Sequence, residues 1–136
     1  MNKIDDKFMI IGGNELVGET TIQTSKNAVL PILAGCVLCD KTIQINKVPN
    51  ILDVSNMLNI LNSLGVKVDK DKNTYYIDSS NITSTTLDQE LCKALRSSIF
   101  LLGPLLARMH KAIISYPGGC DIGNRPIDLH LSGLEK

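Results

Sequence analysis

The spacing of hydrophobic and polar positions near the start of the chain predicts two short strands. Residues 8–11 are consecutively apolar, and residues 16–22 alternate apolar side chains with Glu and Thr. Gly12 and Gly13 stand between the two segments and indicate a turn. The chain is therefore expected to begin with strands and not with a helix.

From residue 25 the hydrophobic spacing becomes that of helices. Residues 28–38 predict a helix buried on most sides, which tolerates Pro31 only near its first turn. Asn50 and Asp53 resemble a capping box at the start of a second helix, and Gly65 is suited to end it.

A third, longer helix is predicted from Thr86 and Gln89, a second capping pair, to about Arg108. Pro126 is placed to be the first residue of a last helix, after a glycine-rich loop over residues 116–125. The remaining apolar segments predict strands over residues 42–46, 66–68, 74–77 and 111–115, with a polar turn at 69–73.

An internal repeat organises these elements. At an offset of 70 residues Lys26 aligns with Arg96 and Ile43 with Ile113, and the apolar residues between them align as well. Each copy runs from a basic residue through an apolar helix and a strand to a proline, a loop and another helix. The second copy stops inside its last helix, so we expect an amino-terminal piece of a larger α/β protein.

Composition narrows the functional class. Hydrophobic residues make up 43% of the 136 positions, which excludes a disordered chain. Fourteen basic side chains offset fourteen acidic ones, and aromatics are 4%, so neither a basic nucleic-acid surface nor a stacking platform is expected. The apolar run at residues 8–11 is too short for a secretory leader, and no apolar stretch of the sequence reaches the length of a membrane span, so cytoplasmic localisation is the expectation.

The cysteines give one candidate for chemistry. Cys36 and Cys39 have the C-x-x-C spacing, but no second close pair accompanies them and we interpret both as small core residues. Cys120 lies in the glycine-rich loop, where Arg125 would stabilise its thiolate and Asp121 would oppose ionisation. The residue pattern leaves a reactive and an inert Cys120 both open.

The repeated cations suggest an anion site. Lys26 and Arg96 hold equivalent positions in the repeat, Lys26 at or near the start of a predicted helix and Arg96 within one. Cations beside the backbone N–H groups of a helix start form an anion site. Arg125 adds a third cation before the last helix. The alternative is that these are solvated charges at the ends of elements.

Together these segments resemble the UDP-N-acetylglucosamine enolpyruvyl transferase (1-carboxyvinyltransferase) family. The resemblance covers essentially the whole chain, as the amino-terminal third of such an enzyme. Its most specific marks are SKNAVLP at 25–31, LRSS at 95–98, GPLLAR at 103–108 and PGGCDIGNRPIDLH at 117–130.

The resemblance implies an inside-out α/β barrel built from repeated β-α-β-α-β-β units and truncated here. Residues 1–22 would supply first strands to the second domain of the complete enzyme, and residues 23–136 a partial first domain. The implied reaction moves the enolpyruvyl group of phosphoenolpyruvate to the 3′-hydroxyl of UDP-N-acetylglucosamine and releases phosphate. That step opens peptidoglycan synthesis in the bacterial cytoplasm, and thereby serves cell-wall biogenesis and cell division. No metal or other cofactor is implied.

The family pattern also implies roles for individual residues. Cys120 corresponds to a general acid that can be alkylated by fosfomycin. The implied catalytic residues are Cys120, Lys26 and Arg125, and the implied substrate-binding residues are Lys26, Asn27, Arg96, Ser97, Arg125, Pro126, Ile127, Asp128 and Leu129.

Three interpretations remain open at this point. The first is a transferase fragment that is inactive alone, and the second is a non-catalytic remnant that binds the sugar nucleotide weakly. The third is the sister enzyme acting on shikimate 3-phosphate, or an RNA-cyclase relative that shares the repeat. The loop cysteine Cys120 favours the first over the third.

Overall fold

The computed structural model describes residues 7–116 and 127–135. Helices and strands are mixed as far as β3, and only helical segments follow it among the described residues. They are α1 (Lys26–Gly35), β1 (Ile43–Ile45), α2 (Leu52–Ser63), β2 (Lys67–Asp71), β3 (Thr74–Asp78), α3 (Gln89–Ala94), α4 (Leu102–Met109) and α5 (Asp128–Leu134), with 3-10 helices at Cys36–Leu38 and Arg96–Leu101.

The three strands form an antiparallel sheet in the order β1-β3-β2. Ile77 of β3 lies opposite Ile43 on one side and Val68 on the other, so apolar side chains line up across all three strands. Ile77 is fully buried and its two neighbours pack against the core. This face of the sheet therefore meets the helices, as the alternation of side chains along a strand requires.

The helices α1 and α2 pack against each other, and α2 also contacts the sheet. Their buried side chains include Leu30 and Leu33 of α1 and Met57, Ile60 and Leu61 of α2. Burial of each such side chain contributes about 1.5–3 kcal/mol. The core between these two helices and β3 is the main source of stability in the described part of the chain.

The expected helix over residues 28–38 is present, with two differences. It begins earlier, at Lys26, and tightens into the 3-10 helix from Cys36. Pro31 is its sixth residue, beyond the first turn in which a proline is best tolerated. The helix continues past Pro31 because the residues around it, Leu30 and Leu33, are buried in the core.

The prediction of one long helix from Thr86 to Arg108 is wrong. This part of the chain forms three helical segments instead. Asp88 caps α3 by accepting a hydrogen bond from the backbone N–H of Leu91 at 3.0 Å. Leu95 is then extended, at φ −135° and ψ 109°, and a 3-10 helix leads into α4. Pro104 falls in the first turn of α4, a place where the missing N–H costs no helical hydrogen bond.

The two strands predicted at residues 8–11 and 16–22 are also absent. No described residue pairs with either segment, and the side chains point into solvent, Phe8 being 96% exposed. A strand needs a neighbour to accept and donate its backbone hydrogen bonds, so the apolar pattern alone does not produce one here.

Two further strand boundaries differ from expectation. β2 extends through Asp71, so the hairpin turn is confined to Lys72 and Asn73 instead of 69–73. The strand expected over 111–115 is reduced to an isolated parallel bridge between Thr86 and Ile113. Each predicted strand between residues 42 and 77 is present, with bounds shifted by a few residues.

Arg108, in the last turn of α4, ties the two repeats together. Its Nη1 donates hydrogen bonds to the backbone carbonyls of Val37 at 2.7 Å and Cys39 at 2.6 Å. Those carbonyls follow α1, where helical N–H partners have run out. A guanidinium at this point satisfies them and also complements the negative end of the helix dipole.

Gly65 ends α2 as expected. Its N–H donates to the carbonyl of Asn62 at 3.0 Å, and the N–H of Val66 donates to the carbonyl of Leu61 at 3.1 Å. This is the Schellman arrangement, which needs a left-handed residue, and Gly65 has φ +93°. A Cβ at Gly65 would lie 2.5 Å from Thr83 Oγ1.

We therefore expect Gly65→Ala to lower the free energy of unfolding by about 2 kcal/mol or more, since it adds left-handed strain to a steric clash. Gly35→Ala is the matched control, because a Cβ on that helical glycine would meet nothing within 4 Å. The control is expected to leave stability unchanged or to raise it by up to about 1 kcal/mol. Urea denaturation followed by circular dichroism measures both, and equal effects of the two substitutions would contradict the capping role.

Candidate active site

Lys26 is the first residue of α1 and follows the extended residue Ser25. Its Nζ lies 2.8 Å from Oδ2 of Asp53, in the first turn of α2. The capping box predicted from Asn50 and Asp53 is wrong, since α2 is preceded by Ile51 and has no side-chain cap. The Asp53 carboxylate pairs with a lysine of the neighbouring helix.

The start of α1 presents donors beside this lysine. The carbonyl of Ser25 accepts from the N–H groups of Ala28 and Val29 at 3.1 Å each, which closes the first turn. The N–H groups at the very start of a helix have no partner within it, and the helix dipole makes this end positive. Lys26 and the exposed Asn27 therefore stand at a point that favours anions.

Arg96 and Ser97 open the 3-10 helix that packs against α1, and both side chains are half-buried. Arg96, like Lys26, is the first helical residue after an extended one. Arg96 therefore does not lie within a longer helix, as we expected, but begins a helical segment as Lys26 does. The two cations begin two helical segments that lie against each other.

A groove of about 590 Å³ lies along the segments that lead into α1 and α2. Residues 21–24 form one part of its wall and residues 47–50 another, and Asn73 also lines it. Most of these side chains are polar, unlike the mainly apolar lining that is usual for small-molecule pockets. The residues that follow these two segments include Lys26 and Asp53.

The predicted residues at the start of α5 lie at the surface or are half-buried. Ile127 precedes the helix, Asp128 begins it, and Leu129 is 83% exposed. Oη of Tyr116 donates to Oδ1 of Asp128 at 3.2 Å, and this hydrogen bond raises the pKa of Tyr116. None of the residues of α5 is buried.

Cys120, Arg125 and Pro126, all predicted site residues, lie outside the described residues. The structure therefore places Lys26, Asn27, Arg96 and Ser97 on adjoining helical segments and gives no geometry for the loop that would complete the site.

The other cysteines differ in exposure. Cys36 is buried, and burial raises the pKa of its thiol to about 11, with a smaller contribution from Cys39. Cys39 is exposed, so our interpretation of it as a core residue is wrong, because the chain has left the helix by that point. Burial also raises the pKa of Cys92. Cys36 and Cys92 are thus protonated and enclosed, as expected of inert thiols.

Sequence reasoning missed the pairing role of Asp53 and the carbonyl contacts of Arg108. An aspartate in the first turn of a helix interacts favourably with the helix dipole. Because that role already explained Asp53, its ion pair with Lys26 was not considered. A usable signal was present, since a helix predicted to be buried on most sides over residues 28–38 must pack against neighbouring elements, of which the helix of Asp53 is one.

Residues 10–136 match the family described as EPSP synthase (3-phosphoshikimate 1-carboxyvinyltransferase). The chain belongs to this family. In the part of the chain that the structure describes, no helix is both long and apolar enough to cross a membrane.

The curated relatives of the chain include proteins named UDP-N-acetylglucosamine 1-carboxyvinyltransferase. The chain is 46% identical over 130 residues to UDP-N-acetylglucosamine 1-carboxyvinyltransferase of Acinetobacter baylyi. The aligned region covers 96% of this chain and 31% of that protein. It is 49% identical over 131 residues to the protein of the same name from Methylacidiphilum infernorum, again 31% of that protein. The chain thus spans about a third of the length of the curated relatives it matches.

Solved structures agree on the fold. The crystal structure of the enolpyruvyl transferase NikO from Streptomyces tendae superposes with a TM-score of 0.65 at 23% identity, covering 71% of this chain and 23% of that one. The expected α/β fold of an enolpyruvyl transferase, present here in part, is confirmed.

The burial of the thiols predicts their order of reaction with iodoacetamide. At neutral pH Cys39 should be alkylated readily, while Cys36 and Cys92 should resist because they are buried and their raised pKa values keep them protonated. Raising the pH should speed labelling of Cys36 only as the pH approaches its pKa of about 11. Peptide mapping by mass spectrometry measures each site.

In concentrated urea these thiols should react at similar rates, which controls for intrinsic reactivity. Alkylation of Cys36 in the native protein at the rate of Cys39 would show that the described packing around Cys36 is wrong.

Proposed function

We propose that this chain is the amino-terminal part of a UDP-N-acetylglucosamine 1-carboxyvinyltransferase. The observation that carries the proposal is the identity of 44–49% over 96% of the chain to proteins of that name. The complete protein transfers the enolpyruvyl group of phosphoenolpyruvate to the 3′-hydroxyl of UDP-N-acetylglucosamine and releases phosphate. The chain alone is inactive in this proposal.

The start of α1 supports a role in holding anions. Both substrates are anionic, one through a phosphate and a carboxylate and the other through a diphosphate. Lys26 offers an ammonium, and the first N–H groups of α1 add partial positive charge. Arg96 and Ser97, on the 3-10 helix packed against α1, would contact the sugar nucleotide. Asn27 would contact both substrates beside Lys26.

The catalytic step would use Cys120 and Arg125. The Cys120 thiol would donate its proton to the methylene carbon of phosphoenolpyruvate while the oxygen of the sugar hydroxyl bonds to the adjacent carbon and a base in the rest of the complete protein takes the hydroxyl proton, giving a tetrahedral phospho-ketal. Loss of phosphate from this intermediate, with transfer of a methyl proton back to the Cys120 thiolate, yields the enol ether. A positioned acid typically accelerates such a step by about 10²–10⁴, and Arg125 would offset the substrate charges.

Pro126, Ile127, Asp128 and Leu129 would contact the uracil and ribose end of the sugar nucleotide. The exposure of Asp128 and Leu129 in the structure leaves both available for such a contact.

We also propose that residues 1–22 add strands to the second domain of the complete enzyme, with residues 23–136 in the first. The exposed apolar side chains of Phe8, Ile11 and Leu16 support this proposal, since they lack a covering layer among the described residues. The reaction would take place in the bacterial cytoplasm as the committed step of peptidoglycan synthesis, without nucleic acid, membrane or cofactor.

The sister reaction on shikimate 3-phosphate is the second candidate, because the family as a whole is described by that activity. The names of the similar proteins and the cysteine at position 120 favour the sugar nucleotide.

A phosphate-release assay tests the function. The complete protein containing residues 1–136 should release phosphate from phosphoenolpyruvate only when UDP-N-acetylglucosamine is present, and the 136-residue chain alone should release none. Release by the complete protein with shikimate 3-phosphate but not with UDP-N-acetylglucosamine would contradict the proposal. Release by the short chain would contradict its inactivity.

A second test addresses the thiol. Cys120→Ser in the complete protein should abolish covalent labelling by fosfomycin and remove most turnover, because the acid and nucleophile is lost. Cys120→Asp should keep part of the turnover, since a carboxylic acid still donates a proton, yet escape labelling. Cys39→Ser is the matched control, as an exposed cysteine outside the proposed site. Mass spectrometry that finds undiminished labelling in Cys120→Ser would exclude Cys120 as the target.

A further inference from the structure

The ion pair between Lys26 and Asp53 joins two helices that the core holds in place. Lys26 begins α1, whose residues Val29 and Leu30 are buried, and Asp53 precedes the buried Val54 of α2. The two backbones are therefore fixed relative to each other by apolar packing. The 2.8 Å contact between Nζ and Oδ2 spans this fixed separation.

This pair contributes little to the stability of the fold. The Lys26 side chain is 52% exposed and that of Asp53 33% exposed, and water screens charges in such positions. The packing of α1 on α2 does not depend on the pair, because the buried residues of both helices belong to one apolar cluster. The main effect of the ion pair is to fix the position of the Lys26 ammonium.

A lysine side chain has four rotatable bonds, and its ammonium can occupy many positions around a helix start. Asp53, from a short side chain in the first turn of α2, restricts the ammonium to one of them. Fixing a charged group before the substrate arrives avoids the loss of conformational freedom during binding and reaction. The neighbouring anion also deters a phosphate from docking on the α2 side of the lysine.

We propose that Asp53 is a positioning residue of the transferase, which acts by holding the Lys26 ammonium in the orientation that meets the anionic substrate. The inference rests on the proposed function and deepens it. Asp53 itself need not touch the substrate.

A double-mutant cycle in the complete protein containing residues 1–136 tests this role. The variants are Lys26→Ala, Asp53→Asn, the combination of both, and Asp53→Glu as the charge-preserving substitution. Asp69→Asn is the matched control, since Asp69 pairs with Lys67 at 3.6 Å on the exposed strand β2. Phosphate release with UDP-N-acetylglucosamine and phosphoenolpyruvate gives kcat and KM, and thermal unfolding gives Tm.

Asp53→Asn should lower kcat/KM by about tenfold to a hundredfold, the range typical of a misplaced group, with Tm close to that of the unmodified protein. Asp53→Glu should recover part of that loss, and Asp69→Asn should show none. In the Lys26→Ala background, Asp53→Asn should change kcat/KM by no more than about twofold, because its effect passes through the lysine.

The proposal is overturned if Asp53→Asn behaves like Asp69→Asn, or if its loss multiplies with that of Lys26→Ala. A large fall in Tm that accounts for the lost activity would also overturn it. If Lys26→Ala is impaired and Asp53→Asn is not, only the positioning role fails. If Lys26→Ala is fully active, or the unmodified protein does not turn over these substrates, the proposed site or function fails with it.

Discussion

The packing of α1 against α2 is the constraint on which the rest of the described structure depends. Leu33 on one helix and Met57 and Leu61 on the other are fully buried in the same cluster as Ile77 of the sheet. Exclusion of water from these side chains sets the separation of the two helices. The packing fixes how the two helix starts lie relative to each other, and so places the cation at the start of α1 beside the carboxylate in the first turn of α2.

Local rules predicted the elements that depend on local chemistry. The helix end at Gly65 follows from a single residue that accepts a positive φ, and β1 and β3 follow from short apolar runs between polar turns. The break at Leu95 was missed because the apolar spacing continues across it, although Pro104 was a warning. The prediction of strands at residues 8–11 and 16–22 was wrong for another reason. A strand forms only beside a neighbouring strand, and the pattern of its own side chains does not supply one.

The residues of the candidate site also divide into those that local patterns identify and those that only the packing of the fold brings together. Lys26 and Arg96 were identified because the repeat places them at equivalent positions, and the structure gives both the first position of a helical segment. The partner of Lys26 could not be identified from spacing, since Asp53 is distant in sequence and meets the lysine only through helix packing. The favourable interaction of an aspartate with the start of a helix was enough to explain Asp53 without Lys26.

The hydrogen bonds of Arg108 connect the two copies of the repeat. The arginine belongs to the second copy, whereas the carbonyls of Val37 and Cys39 belong to the first. Because backbone acceptors cannot be altered by substitution, the first copy can change its side chains there freely while the second is obliged to keep a long forked donor. Loss of the Arg108 guanidinium would therefore remove these donors from two carbonyls of the first copy, whichever side chains that copy carries there.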